Sequence, residues 1–223
     1  MKTDLELQKE VAMELAWDPS IRQEDIAVAA KGGVITLGGT VDTYVQRYAA
    51  ERATERIKGV RAVANDLTVK RDKIHDRSDS EIAHEAVTAL RLDVEVPDQR
   101  ITVKVNNGYL SLHGEVPWQF QRGASERAVR NLTGVKGIVN NILVTATPTT
   151  SDVKSRIEDA LTRTAELDAR RVGVEVSGHR VTLTGTVRSL AEKNDASRAA
   201  WNAVGVNEVM NLIEVEPFAL ASL

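Results

Sequence analysis

The pentapeptide Leu37-Gly-Gly-Thr-Val41 returns as Leu112-His-Gly-Glu-Val116 and again as Leu183-Thr-Gly-Thr-Val187, at steps of 75 and then 71 residues. The same two steps carry Gly59-Val60 to Gly134-Val135 and Gly205-Val206, and Asn65 to Asn140 and Asn211. Three marks held in register mean one folding unit of roughly 70 residues used three times, not one core drawn from the whole chain. The copies divide the chain into domains at 1–70, 78–146 and 150–217. A unit this small buries only about 60% of its unfolded surface, so each copy gains by packing on a neighbour.

Each copy opens with apolar residues four apart: Leu7, Val11, Leu15; Ile82, Ala86, Leu90; Val153, Ile157, Leu161. With charged residues between them, this is the pattern of an amphipathic helix, and Ser80 and Asp152 stand where an N-cap is useful. Next, Ile101–Val105 alternates apolar and polar, Asn107-Gly108 turns the chain, and Tyr109–His113 returns. Asn-Gly between such runs is a strong hairpin signal, because both residues tolerate positive φ. Lys31-Gly32-Gly33 and Ser177-Gly178-His179 make the corresponding turns. The returning strand ends at Gly39, Gly114 or Gly185, read as a close backbone approach rather than a ligand contact.

A second helix is predicted at 43–58, 118–133 and 189–204, with Ala49, Ala53 and Ile57, and Ala124, Ala128 and Leu132, facing inward. Gly59, Gly134 and Gly205 stand where a left-handed cap would end it. A third strand over 62–69, 137–144 and 208–215 closes each copy. The predicted class is therefore α+β: three tandem αββαβ domains, each a three-stranded sheet packed against two helices, with the other sheet face open. The linker Lys70–Asp79 is charged at seven of ten positions, and Thr145–Ser151 is stiffened by one proline, so a compact or gently curved array is expected.

Composition narrows function. A net charge of −3 lacks the basic excess of a general nucleic-acid binder. With no cysteine, disulfides, thiolate metal sites and cysteine nucleophiles are excluded. Residues 1–18 lack the apolar core of a secretory signal and no stretch approaches a membrane span, so a cytoplasmic chain is expected.

The strand ending Leu-x-Gly-x-Val, the Ala-rich helix after it, Gly-Val at its end, and a last strand with Asn in register resemble the BON domain of bacterial osmotic-stress and nodulation proteins. That last strand reads Val63-Ala-Asn-Asp-Leu-Thr-Val69, Val139-Asn-Asn-Ile-Leu-Val144 and Val209-Met-Asn-Leu-Ile-Glu-Val215. The resemblance covers nearly the whole chain. It implies a non-catalytic binding module associated with phospholipid surfaces, envelope maintenance and osmotic stress. It also implies periplasmic residence as the alternative to the cytoplasm.

No catalytic, cofactor or metal site is legible. His75, His84, His113 and His179 neither recur in register nor pair at ligand spacing. Gly32-Gly33 and Gly38-Gly39 are not followed by the Gly-Lys-Ser/Thr of a phosphate loop. What does recur is basic: Arg47, Arg122 and Lys193 share one position of the second helix, and Arg52, Arg127 and Arg198 another. A solvated helix face is the plain reading. In the second copy, Trp118 and Phe120 stand beside Arg122, Arg127 and Arg130, and aromatic residues among cations suit an anionic phospholipid surface or an envelope protein. Trp201 replaces Glu55 and Arg130 of the other copies and reads as an interface residue, while Trp17 is expected to plug the edge of the first domain. The expected function is thus a non-enzymatic scaffold of three weak modules acting through avidity, with a cytoplasmic protein-interaction factor or an ion or small-ligand sensor as alternatives.

Overall fold

In a computed structural model, residues 2–70, 77–145, 157–158, 171–203 and 205–215 are described. The first repeat contains α1 (Asp4–Trp17), β1 (Ile26–Lys31), β2 (Val34–Val41), α2 (Tyr44–Glu55) and β3 (Ala62–Val69). The second contains α3 (Asp79–Leu92), β4 (Ile101–Asn106), β5 (Tyr109–Val116), α4 (Gln119–Arg130) and β6 (Gly137–Val144). The third shows β7 (Val172–Ser177), β8 (Arg180–Val187), α5 (Leu190–Trp201), β9 (Glu208–Asn211) and β10 (Glu214–Val215). The helix expected around Val153 and Leu161, and its cap Asp152, lie outside the described residues. Ile157 is described, and it is fully buried in the third core.

In every repeat the second strand is central: the orders are β1-β2-β3 and β4-β5-β6, while β8 lies between β7 and the interrupted pair β9 and β10. The hairpins are antiparallel, and β6, β9 and β10 each run parallel to the central strand of their own sheet. A parallel return needs a crossover, and the second helix supplies it. Helix and sheet then share one core. In the second repeat Ile82, Ala86 and Leu90 of α3 meet Leu110, Leu112 and Val116 of β5, Ala124 and Val129 of α4, and Ile142 of β6.

Local chemistry explains the helix starts. Thr3 and Ser78 are the N-caps, each closing a reciprocal box with Glu6 or Glu81. The Ser78 N–H donates to Glu81 Oε2 at 2.8 Å, and the Glu81 N–H to Ser78 Oγ at 3.3 Å. A cap of this kind contributes about 1 kcal/mol. Ser80, expected as the cap, lies inside the first turn instead, because the Ser78–Glu81 spacing satisfies two backbone donors and Ser80 has no such partner.

Asp4 and Asp79, each one residue past the cap, reach across to the hairpin. Asp79 accepts from the N–H of Asn107 at 2.7 Å and of Gly108 at 2.9 Å, and Asp4 from Gly32 at 2.9 Å and Gly33 at 3.3 Å. The carboxylate therefore ties helix to turn. Stepping 71 residues from Asp79 leads to Thr150, outside the described residues.

The repeated glycine faces the first residue of the hairpin each time: Gly39 opposite Ile26, Gly114 opposite Ile101, Gly185 opposite Val172. Its φ is +115°, +142° or +114°, and a Cβ there would stand 2.1, 2.0 or 1.9 Å from the carbonyl oxygen of Asp25, Arg100 or Arg171. The backbone passes where a side chain would be.

The second helices end at Glu55, Arg130 and Trp201, about three residues before the predicted ends. The chain then tightens into i+3 turns, such as Arg56 N–H to Ala53 O and Ile57 N–H to Thr54 O. Gly59, Gly134 and Gly205 have positive φ within that turn, not at the helix terminus. The buried stripe is Ala50, Ala53 and Thr54 in α2 and Ala124, Ser125 and Val129 in α4. It is thus rotated from the predicted one. Ser125 and Thr54 are tolerated inside because their hydroxyls donate to carbonyls one turn back, Gln121 O at 2.6 Å and Ala50 O at 2.8 Å.

The repeated asparagine staples the last strand to the second helix. Asn140 Nδ2 donates to Arg122 O and Asn211 Nδ2 to Lys193 O, both at 2.9 Å, while Asn65 Nδ2 reaches Glu51 Oε2 at 2.9 Å. Each side-chain oxygen accepts from the N–H two residues on.

Two compact units emerge from this chain. One holds Met1–Gly39, Tyr48–Leu67 and Pro148–Leu223, and the other Thr40–Arg47 and Thr68–Thr147. Within the first, repeats one and three touch. The Gly59 N–H donates to Arg188 O at 3.1 Å, and Asn194 Nδ2 to Glu55 Oε2 at 3.1 Å.

Candidate functional site

Trp118 occupies the N-cap of α4, with φ −133° and ψ 141°, and offers no side-chain acceptor to the helix. At the matching positions the other repeats use hydroxyls. Thr43 Oγ1 accepts from the Gln46 N–H at 3.2 Å, and Ser189 Oγ from the Glu192 N–H at 3.2 Å. The second repeat therefore forgoes a cap of about 1 kcal/mol and gains an indole. The ring is 41% exposed, and Phe120, two residues on, is 48% exposed.

The cations nearby are engaged with the protein. Arg122 Nη2 donates to Asn140 O at 3.0 Å, which anchors it to its own sheet. Arg127 pairs with Glu95 at 3.0 Å and Arg130 with Glu126 at 3.1 Å. Elsewhere in the register, Arg52 pairs with Glu55 at 3.1 Å and Arg198 with Asp195 at 2.6 Å. The second basic position is thus ion-paired in all three copies. Arg47 donates to Lys136 O at 3.4 Å.

Among the other sequence candidates, Trp17 is placed differently from expectation. Trp17 is 86% exposed and plugs nothing, because Leu15 already completes the inward stripe of α1 and the chain turns away at Asp18. Trp201 is half-buried against the third core, alongside Ala203 and Val209. Among the exposed apolar side chains that were not foreseen, Tyr109, Val139 and Leu143 share the open sheet face of the second repeat. Register sets Val139 beside Ser111 and Leu143 beside Glu115, on the face away from the buried Leu110, Leu112 and Ile142. The signal was masked because β6 is apolar in both phases, Ile138-Val139 and Ile142-Leu143.

Electrostatics single out Glu55. Burial raises its carboxyl above the ordinary value, against the pull of Arg52 and the hydrogen bonds from Asn194 and Arg52. The capping Glu6 and Glu81 move the other way, lowered chiefly by the backbone N–H groups of Thr3 and Ser78. His84 Nδ1 lies 2.8 Å from Ser80 O, His113 Nε2 3.1 Å from Ser111 Oγ, and His179 Nδ1 3.1 Å from Gly205 O. His75 lies outside the described residues. Among those described, no group of three or more potential metal ligands gathers, and no helix is long and apolar enough to cross a membrane.

Two αββαβ repeats and a third whose described residues give the same hairpin, second helix and parallel return define a tandem array of one small α+β module. The chain belongs to the BON domain family, which matches residues 3–71, 78–146 and 149–217. It is 28% identical over 127 residues to osmotically-inducible protein Y of Escherichia coli (strain K12), covering 55% of this chain and 63% of that protein. The match therefore spans less than two thirds of the relative's length. Among solved structures, CdsD, a structural protein of the type III secretion system of Chlamydia trachomatis, is 14% identical with a TM-score of 0.28 over 94% of this chain and 92% of that one. The C-terminal domain of CdsD gives 13% and 0.27, over 97% and 100%.

Proposed function

We propose that this chain is a non-enzymatic binding and scaffold protein of osmotic stress, whose modules dock on a phospholipid or envelope surface. The observation that carries the surface reading is the cap exchange at Trp118. A position that stabilises the helix in two repeats carries an exposed indole in the third, and giving up a local stabilisation is a mark of a functional position. Exposed indole and phenyl rings suit the headgroup level of a bilayer. The family and the name of the Escherichia coli relative support the stress context. Because Arg122, Arg127 and Arg130 already have protein partners, the aromatic pair supplies most of the contact and anionic lipid adds a smaller part.

Vesicle flotation of the full chain tests this, with and without phosphatidylglycerol. Trp118→Ser with Phe120→Ala should release the protein from vesicles while the new hydroxyl raises helix stability by about 1 kcal/mol. Undiminished flotation of that variant would remove the proposal.

A second reading, a protein-interaction factor, is favoured by the apolar open face at Tyr109, Val139 and Leu143. Leu143→Lys abolishing capture of an envelope or cytosolic protein, with vesicle binding intact, would select it. Cell fractionation distinguishes cytoplasmic from periplasmic action.

A further inference from the structure

Within the first unit a cleft of about 490 Å³ opens between the hairpin turn of repeat one and the α5 and β10 segments of repeat three. Arg61, Lys193 and Glu214 line it together with Val34, Leu190 and Val215. Neither the Arg61 guanidinium nor the Lys193 ammonium has a hydrogen bond or ion pair among the described residues. The other basic side chains of the second helices are engaged with the protein, whereas these two cations line one cleft without a partner.

The repeat register explains why space remains. Stepping back 146 residues from Lys193 leads to Arg47, and stepping forward 75 from Arg61 and Val34 leads to Lys136 and Tyr109. In the second unit those residues meet. Arg47 donates to Lys136 O at 3.4 Å, and the Tyr109 ring lies so close to Gly137 that a Cβ there would be 2.8 Å from it. A bulky ring and a long guanidinium both lie at that junction. At the junction of repeats three and one, Val34 replaces the ring and Lys193 replaces the arginine, which leaves a cleft where the helix would otherwise be clamped.

We propose that this cleft is a binding site for a small phosphate-bearing anion with a short apolar body. The two cations supply charge-assisted donors to phosphate oxygens. Val34, Leu190 and Val215 supply the apolar wall, and Glu214 limits the charge the site accepts. Soluble phosphate esters and lipid headgroups share this chemistry. The site is separate from Trp118 and Phe120, so failure of the vesicle experiment above leaves it standing.

The test is a titration of the full ¹⁵N-labelled chain with glycerol 3-phosphate, and separately with phosphatidylglycerol vesicles. Saturable shifts are expected at the amides of Arg61, Ala62, Lys193 and Val215. Arg61→Gln and Lys193→Gln should each weaken binding about tenfold. Glu214→Gln should tighten it several-fold, a gain that misfolding cannot mimic. Lys104→Gln, on an exposed strand of the second repeat, should change nothing. Loss of response to the ester in the cation variants assigns a soluble ligand, and loss of vesicle response alone assigns a headgroup. Binding of neither probe, or binding indifferent to both cation variants, overturns the proposal.

Discussion

Gly38 and Gly39 are adjacent in β2, yet the fold asks opposite things of them. A Cβ on Gly38 would meet nothing within 4 Å. On Gly39 it would stand 2.1 Å from the carbonyl oxygen of Asp25, on a backbone with φ of +115°. Alanine at Gly39 carries about 1–3 kcal/mol of backbone strain. It must also push the start of β1 away by about 1 Å to restore a normal contact, which costs one or two ladder hydrogen bonds of about 1 kcal/mol each. The sum is about 2–5 kcal/mol. A module of 70 residues has roughly 4–10 kcal/mol in all, so Gly39→Ala removes about half of the first repeat's stability.

Gly38→Ala should be neutral or stabilising by up to about 1 kcal/mol, because it only narrows the unfolded ensemble. The difference of about 4 kcal/mol corresponds to roughly a thousandfold change in opening equilibrium. Hydrogen exchange over β1 and β2 reads it directly: slow amides should accelerate about that much in the Gly39 variant and not in the Gly38 variant. Urea titration followed by circular dichroism gives a coarser check. If the two alanines fall within 1 kcal/mol of each other, the close approach does not hold the hairpin and the structural reading of Gly39, Gly114 and Gly185 fails.

Asp79→Ala leaves the N–H groups of Asn107 and Gly108 without their acceptor, and water replaces only part of what is lost. The second repeat should lose about 1–2 kcal/mol in urea titration, and Asp79→Asn should restore part of it. Glu55 gives a pH signature. Its folded carboxyl is raised, so the folded chain binds a proton that the unfolded chain releases, and the cost of its charge is fully present above the folded value. Stability from this group therefore rises as pH falls through that value toward the ordinary 4.5. Glu55→Gln, which keeps an acceptor for Asn194, should match or exceed the parent at pH 7 and lose this increment on acidification. A thermal-melt series from pH 7 to pH 4 with parallel curves for parent and variant would show that burial of Glu55 does not control its charge.

The triplicate register made most of the architecture readable, since αββαβ order, hairpin turns and inward faces of the first helices all follow from period and turn chemistry. The failures have local causes. The second helices stop early because the chain tightens through i+3 turns before Gly59 and Gly134, and nothing in an Ala-rich helix announces where that tightening starts. Ser80 lost the cap to Ser78 because a cap is decided by the reciprocal partner three residues on, Glu81, and not by residue type alone. The asparagine in register was visible, but its role as a staple needed the helix carbonyl it reaches.

For the binding surfaces, the repeats act as an internal comparison. Where three copies agree, as at Gly39, Gly114 and Gly185, geometry compels the residue. Where one copy departs, either packing compensates or function accounts for it. Trp201 is the first case, since it rests on the third core. Trp118 is proposed as the second, since it stands where the other copies place a hydroxyl cap and stays exposed. The same logic applies to Val34 and Lys193, whose copies Tyr109 and Arg47 come together at the equivalent junction. Shortening both at once leaves two cations facing a cleft, and a position-by-position reading of the sequence could not show that the two shortenings meet at one place.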